Sequence, residues 1–294
     1  MKFDMHCHTR EGSLDGKVSV EDYVRALKEK GFDGMLVSDH NSYDGYRAWE
    51  RSGGKGTKPF VVLKGIEYDT ADAGHILVIL PESVKLPILE LRGLSVRRLI
   101  EIVHGHGGIL GPAHPCGRKN LGILNTGRYR NCLSVMDRFD FQEGFNACEP
   151  PESNRRALEI ADRLGLPAFG GSDAHKEDCI GLGFTDFPEE VTCESELIGL
   201  LKRKGSGACV CGGTRYLHTV RERFGKGNGI LMWSYWVYNR LGGLWNFRKR
   251  SRELKKLSAG SGTGIEKSGK SGKKRIRSGK NQGKNRKRLI FIKN

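Results

Sequence analysis

The chain has no Cys-x-x-Cys pair. Its eight cysteines are scattered, and the one close pair, Cys209 and Cys211, is spaced Cys-x-Cys. That pattern does not suggest a structural zinc site, and 294 residues are too many to need disulfide staples. Small buried thiols in a reducing cytoplasm are expected instead. An apolar N-terminal stretch is also lacking. MKFDMHCHTR has no signal-peptide core, so a cytoplasmic location is expected. No fixed-period repeat occurs. Long apolar runs are scarce. The longest, ILMWSYWVYNRLGGLWNF (230–247), is interrupted by Asn239, Arg240 and Gly242-Gly243 and makes a poor spanning helix. Its aromatics and the basic run after it would suit an interfacial anchor on anionic lipid. The favoured expectation is a helix docked on the body with Trp233, Tyr235 and Trp236 buried, and no membrane contact.

The body also lacks an excess of charge. From Arg248 to Asn294, eighteen Lys and Arg face only Glu253 and Glu266. Subtracting these from 50 basic and 34 acidic residues leaves 32 of each in residues 1–247. The net charge of +16 therefore belongs to the tail and says nothing about nucleic-acid binding by the body. From about Ser258 the chain is Gly, Ser, Lys and Arg with almost no apolar residues, so a disordered tail is expected. Such a tail can hold RNA or DNA phosphates through counterion release, without sequence preference. It lacks interleaved aromatics, so base stacking is not indicated.

With 37% hydrophobic residues, the chain can build one large domain plus appendages. Its first 175 residues alternate short apolar runs with helical patterns. SVEDYVRALKEKG (19–31) places Val20, Tyr23, Val24 and Leu27 at helical spacing, with Ser19 to cap it and Gly31 to end it. SVRRLIEIVHGHGG (95–108), ESNRRALEIADRLG (152–165) and ESELIGLLKRKG (194–205) are further helices. GMLVSDH (34–40), FVVLKGIE (60–67), HILVIL (75–80), ILGPAHP (from 109) and LPAFGGSDAH (166–175) read as strands. The alternation argues for a parallel sheet, open or closed into a barrel.

Nine histidines then gain meaning from their positions. His6 and His8, two apart in a strand, point to one side and can share an ion. Strand after strand finishes in a candidate ligand: His40, Glu67, His114, and the pair Asp173 and His175, with His75 opening a strand eight residues after Glu67. In a parallel barrel the strand ends share one face, where such enzymes place their chemistry. His104 and His106 lie at a helix end, where the dipole favours an imidazolium, and are expected to be structural. His218 is expected at the surface. Asp39 is expected to orient a ligand rather than be one.

HCHT, DG, SVED, SDHN, GIE, GHILV, AHP and GSDAH, in this order from Lys2 to about Gly183, resemble the PHP (polymerase and histidinol phosphatase) family. The resemblance implies an α/β fold, a distorted (β/α)7 TIM-like barrel, and two to three divalent ions (Mn, Zn or Fe). By motif, the first ion would take His6, His8 and Asp173, with Glu67 bridging to a second that adds His75 and His114. A third would take His40, His175 and an acid from the loop after His8, either Asp15 or Glu11. Glu143 and Asn146 match a family motif with a structural role. The implied reaction is hydrolysis of a phosphomonoester or phosphodiester by a metal-bridging hydroxide, with Glu67, Asp173 and His175 as catalytic residues. The substrate would be a nucleotide, an oligonucleotide or a small phosphorylated metabolite. Arg10 and Arg118 follow ligand positions and are candidate phosphate binders, because guanidinium takes two phosphate oxygens at once. The implied organisation is a catalytic barrel over 1–190, a PHP-associated helical extension over 191–257 and the basic tail over 258–294. The competing reading is a non-catalytic metal-containing module that binds nucleic acid through the tail. A degenerate module should have lost ligands, and here only the acid of the third set is ambiguous.

Overall fold

The computed structural model describes residues 1–53, 59–117, 122–219 and 229–260. Residues Met1–Lys255 form one compact unit and Lys256–Asn294 a second. Arg118 lies outside the described residues, as does the tail from 261. Ser258–Gly260, expected in that tail, are instead the end of a helix.

Sequence-local signals place most of the elements. Strand β1 (Lys2–Cys7) leads to helix α1 (Val20–Glu29), which begins where Ser19 accepts from the Asp22 amide and buries Val20, Tyr23, Val24 and Leu27. Strand β2 (Gly34–Val37), helix α2 (Asp44–Arg51) and strand β3 (Val61–Asp69) follow. Then come β4 (His75–Ile79), α3 (Val96–Gly105, capped by Ser95), β5 (Ile109–Pro112) and β6 (Gln142–Asn146). Helix α4 (Pro151–Leu164) ends on Gly165 in the left-handed conformation, the usual glycine stop. Strands β7 (Ala168–Gly171) and β8 (Gly183–Asp186), helix α5 (Glu194–Lys204) and strand β9 (Val210–Gly213) complete the body. Helices α6 (Gly229–Trp245) and α7 (Phe247–Gly260) end the described chain.

One sheet runs β5-β4-β3-β2-β1-β8-β9, and β6 pairs with β7. Hydrogen bonds close the curl. Asp140 N, just before β6, donates to Leu110 O in β5, Asp173 N donates to His6 O, and Cys7 bridges to Ala174. Strands β1–β7 thus form the walls of the distorted TIM-like barrel, and β8 and β9 extend the β1 edge. Phe3, Met5, Leu36, Leu63, Leu77, Ile79, Ile109, Phe141 and Phe169 fill one buried cluster, and a second lies under α1.

The sheet is not all parallel. β1–β2–β3 and β6–β7 are parallel, but β3–β4 and β4–β5 are antiparallel. The cause is the short connection Thr70–Gly74, which is too short for a crossover and forces a hairpin. The hairpin explains why a strand that begins with a histidine still serves the same rim. Asp69, at the end of β3, is registered against His75, at the start of β4.

The C-terminal helix corrects an expectation. Trp233, expected to be buried, is 65% exposed, and Tyr238, Leu241, Leu244 and Trp245 are exposed too. The side chains of Tyr235 and Trp236, expected to be buried with it, lie outside those described; among the described side chains, contacts with the body include small and polar residues. Arg92 donates to Asn239 Oδ1 and lies against Gly242. Among the described residues no helix is long and apolar enough to cross a membrane.

Candidate metal centre

The rim of the barrel gathers the expected side chains. His6 Nε2 and His8 Nε2 are 3.1 Å apart, as their i, i+2 placement in β1 requires. The pairing of β1 with β2 is irregular between Asp4 and Cys7, a local departure that re-aims side chains beside His6. β7 reaches β1 closely enough that a Cβ on Gly171 would meet His6 Cβ at 2.3 Å, so only glycine fits there. After that contact the chain turns. Asp173 has φ 51° and His114 has φ 29°, left-handed values that side chains other than glycine seldom adopt. Ser172 pins this turn by donating from N and Oγ to Asp4. Strain held in place at candidate ligand positions points to a functional site.

Glu67 is the hub. Its Oε2 lies 3.4 Å from His6 Nε2, 3.3 Å from His8 Nε2 and 3.1 Å from His40 Nδ1. Its Oε1 lies 2.9 Å from His75 Nδ1 and 3.3 Å from His114 Nε2. Although buried, Oε1 has no aligned hydrogen bond. Asp173 Oδ1 is 3.2 Å from His8 Nε2 and 3.7 Å from His6 Nε2, and Asp15 Oδ2 is 3.2 Å from His175 Nε2. Among the described residues three sets each bring their donor atoms within 4.8 Å of one another: His6, His8 and Glu67; His40, Glu67 and His75; and His8, His40 and His175.

The far sides of these rings are tied, which fixes their tautomers. Ser13 Oγ donates to Asp39 Oδ1 and so is free to accept from His8 Nδ1, 3.1 Å away. His6 Nδ1 donates to Glu143 Oε1 at 3.0 Å, and His175 Nδ1 to the Asp173 carbonyl at 3.0 Å. With Nδ1 protonated, the lone pair of each Nε2 faces inward. Inward lone pairs and carboxylate oxygens without hydrogens between them are what divalent cations require, so these residues fit metal ions.

Electrostatics agree. Burial opposes charge on His8, but the Asp173 and Glu67 carboxylates overcome it and push its pKa up to about 10. The same balance lifts His114 to about 9, through Glu67, and raises His6 well above the usual value, chiefly through Glu143 and Asp173. Burial works against ionised Glu67 and Asp173, yet the surrounding imidazoles hold both well below the usual carboxylate range. Without cations, protons gather on the imidazoles to balance buried negative charge.

Several expectations gain detail. Asp39 accepts from Thr9 N, Thr9 Oγ1 and Ser13 Oγ and so reaches His8 only through Ser13. Asp15, not Glu11, stands against His175; Glu11 accepts from Val20 N at the start of α1. His104 pairs with Asp140, His106 bonds the Ile102 carbonyl, and His218 is exposed, all as expected. Arg10 is exposed, 3.9 Å from Glu11 Oε1, and lines a cavity of about 510 Å³ with Ser13, Lys17 and Asp44. Glu143 and Asn146 do more than support the fold. Glu143 holds His6, and Asn146 Nδ2 donates to Glu143 and to Asp173 Oδ2. Sequence reasoning missed Asp69, whose buried Oδ1 lies 3.5 Å from His40 Nδ1 and 3.4 Å from His75 Nε2. The signal was present: Glu67 and Asp69 are i and i+2 in a strand and share a face, as His6 and His8 do.

Residues 4–161 match the PHP domain, and residues 151–204 match the PHP-associated family. The chain belongs to the PHP family. It is thereby placed among metal-dependent hydrolases acting on phosphoester bonds. Among solved structures, PsfC from Pseudomonas syringae is 18% identical with a TM-score of 0.52, covering 80% of this chain and 98% of that one. An amidohydrolase from Chromobacterium violaceum with bound sulfate is 16% identical with a TM-score of 0.50, covering 68% and 96%. A structure from Bifidobacterium adolescentis, described as a provisionally assigned metal-dependent phosphoesterase, is 18% identical with a TM-score of 0.49, covering 68% and 96%. These likenesses concern the fold. No curated protein matches the chain.

Proposed function

We propose that this PHP protein hydrolyses a phosphomonoester or phosphodiester of a nucleotide, an oligonucleotide or a small metabolite, using two to three Mn, Zn or Fe ions. The observation that carries this reading is Glu67, whose two carboxylate oxygens face different sets of histidines, as a bridge between ions must. His6, His8 and Asp173 would hold one ion, His75 and His114 a second, and His40, His175 and Asp15 a third. Bound ions would acidify a bridging water and neutralise charge on the phosphoryl oxygen. The protein's own part is orientation. Glu143, Ser13 and the Asp173 carbonyl keep the Nε2 lone pairs of His6, His8 and His175 inward, and Asn146 steers Asp173. Asp173 and His175 stand at the open end of the cluster, where the substrate would approach. Arg10 would meet the phosphate from the rim, and Arg118 is a second candidate. The barrel over 1–190 and the extension that follows it, now carried to Gly260 by the last helix, complete the assignment, with the basic tail after Gly260 able to add nonspecific RNA or DNA contact. A cytoplasmic location is part of the same reading.

A chromogenic phosphodiester and a phosphomonoester, offered to the Mn-loaded protein, test this. Turnover of one or both that is lost in His8→Ala supports hydrolysis. A fully metallated protein that turns over neither, with RNA binding intact, would favour the non-catalytic module. Ser13→Ala adds a finer check. It removes the acceptor for His8 Nδ1, and with it that for the His40 amide, while leaving every candidate ligand in place; metal affinity should fall about 10- to 100-fold with the fold unchanged by circular dichroism. Unchanged affinity would show that the contacts of Ser13 with His8 and the His40 amide do not matter.

A further inference from the structure

Helices α6 and α7 carry a face that the barrel does not use. Among the described side chains, the contact with the body includes Asn239, Gly242, Gly243 and Arg250: Arg92 bonds Asn239 and lies against Gly242, a Cβ on Gly93 would stand 3.1 Å from Gly243 Cα, and Arg250 donates to the Arg92 carbonyl. At 3.6 residues per turn, Ile230, Trp233, Leu241, Leu244 and Trp245 fall on the other side of α6. All five are exposed, Ile230 by 78% and Trp245 by 84%. A continuous stripe of this kind differs from the single apolar residues found on any surface. The chain then continues into α7 with exposed Phe247, Arg248, Lys249, Arg252 and Lys255.

We infer that α6 and the first turns of α7 lie in the plane of an anionic lipid bilayer, the stripe at the acyl boundary and the basic residues on headgroup phosphates. Aromatic and aliphatic residues beside a cationic run are the composition of an interfacial helix. Nucleic acid satisfies the cations but offers no apolar interior for Leu241 and Leu244. A second copy of the chain satisfies the stripe but sets two basic runs side by side. The anionic bilayer satisfies both. The edge of α6 also approaches the metal centre. Arg92 sits between the Tyr238 ring, 4.8 Å away, and Asp69 Oδ2, 3.6 Å away. The attached protein would therefore hold its rim near the lipid surface.

Flotation of the full chain with phosphatidylcholine vesicles, with and without phosphatidylglycerol at roughly one part in three, tests the inference. The full chain should float only with the anionic vesicles, and its tryptophan emission should move to shorter wavelength. The double substitution Leu241→Glu with Leu244→Glu keeps every basic residue and should weaken binding at least about tenfold, with metal content unchanged. Trp245→Ser, at an exposed site, serves as the judge if the double variant does not fold, and should also weaken binding. Equal flotation of the variants would assign binding to the basic tail alone and overturn the inference. So would absence of flotation, including the case of a solution dimer that the substitutions dissociate.

Discussion

Replacing Glu67 by glutamine is expected to lower phosphoester turnover by about a thousandfold and to remove at least one ion from the purified protein. The size follows from the place of the carboxylate. It is buried, and five imidazole nitrogens lie within 3.4 Å of its two oxygens. Removing one member of a buried charged arrangement costs about 3–5 kcal/mol, and each 1.4 kcal/mol is tenfold. Glutamine keeps the shape but offers one weak ligand oxygen and places an NH₂ against imidazoles or cations. The measurement is elemental analysis beside turnover on one preparation, with circular dichroism to confirm folding. Equal reduction of all ions with an unfolded spectrum would mean that Glu67 serves stability. Full turnover with full metal content would remove it from the centre.

The second large effect is on pH. In the ion-free chain, His8 titrates at about 10 and His114 at about 9, and His6 is raised too. At pH 7.5 these imidazoles carry protons that a metal ion must displace. Each displaced proton makes affinity rise about tenfold per pH unit, until the pH passes the group's own pKa. Metal binding should therefore strengthen steeply between pH 6 and about 9. Calorimetry in buffers of different ionisation enthalpy should show protons released. The stability of the ion-free chain follows the opposite course. A histidine raised above its ordinary value of about 6.5 contributes stability that is complete below that pH and is lost as pH rises through about 9 and about 10. Glu67 and Asp173 are depressed, so their contribution is present above the ordinary carboxylate range and is lost in acid. The ion-free protein should melt earlier at pH 10 than at pH 7.5, and the loaded protein should be spared that loss. A melting temperature unaffected by alkali in the ion-free protein would contradict the assigned proton positions.

Much of this architecture could be read from the chain itself, for local reasons. Ser19, Ser95 and Gly165 mark helix ends through bonds or backbone conformations confined to a few residues. The candidate ligands were legible because the rim of a barrel collects strand ends, so position alone grouped residues distant in sequence. Other features depend on what packs across the fold. The antiparallel course of β4 follows from a short hairpin that an apolar run does not reveal. Glu143 reaches His6 across 137 positions, a pairing that only closure of β6 and β7 onto β1 creates. The orientation of α6 was illegible for another reason. Apolar residues surround that helix almost completely, so the pattern does not say which side is docked; only the fold sets Asn239 and Gly242 beside Arg92.

The central claim is one cluster of ions joined through Glu67 and clamped at the open end by the GSDAH turn. Counting ions per chain in the wild type, in Asp173→Ala and in His175→Ala tests it most directly. Asp173 reaches toward His6 and His8, whereas His175 reaches toward Asp15. The account predicts two to three ions in the wild type and one fewer in each variant. It further predicts that the double variant loses both. A wild type that holds no ion, or single variants that each retain the full complement, would contradict it.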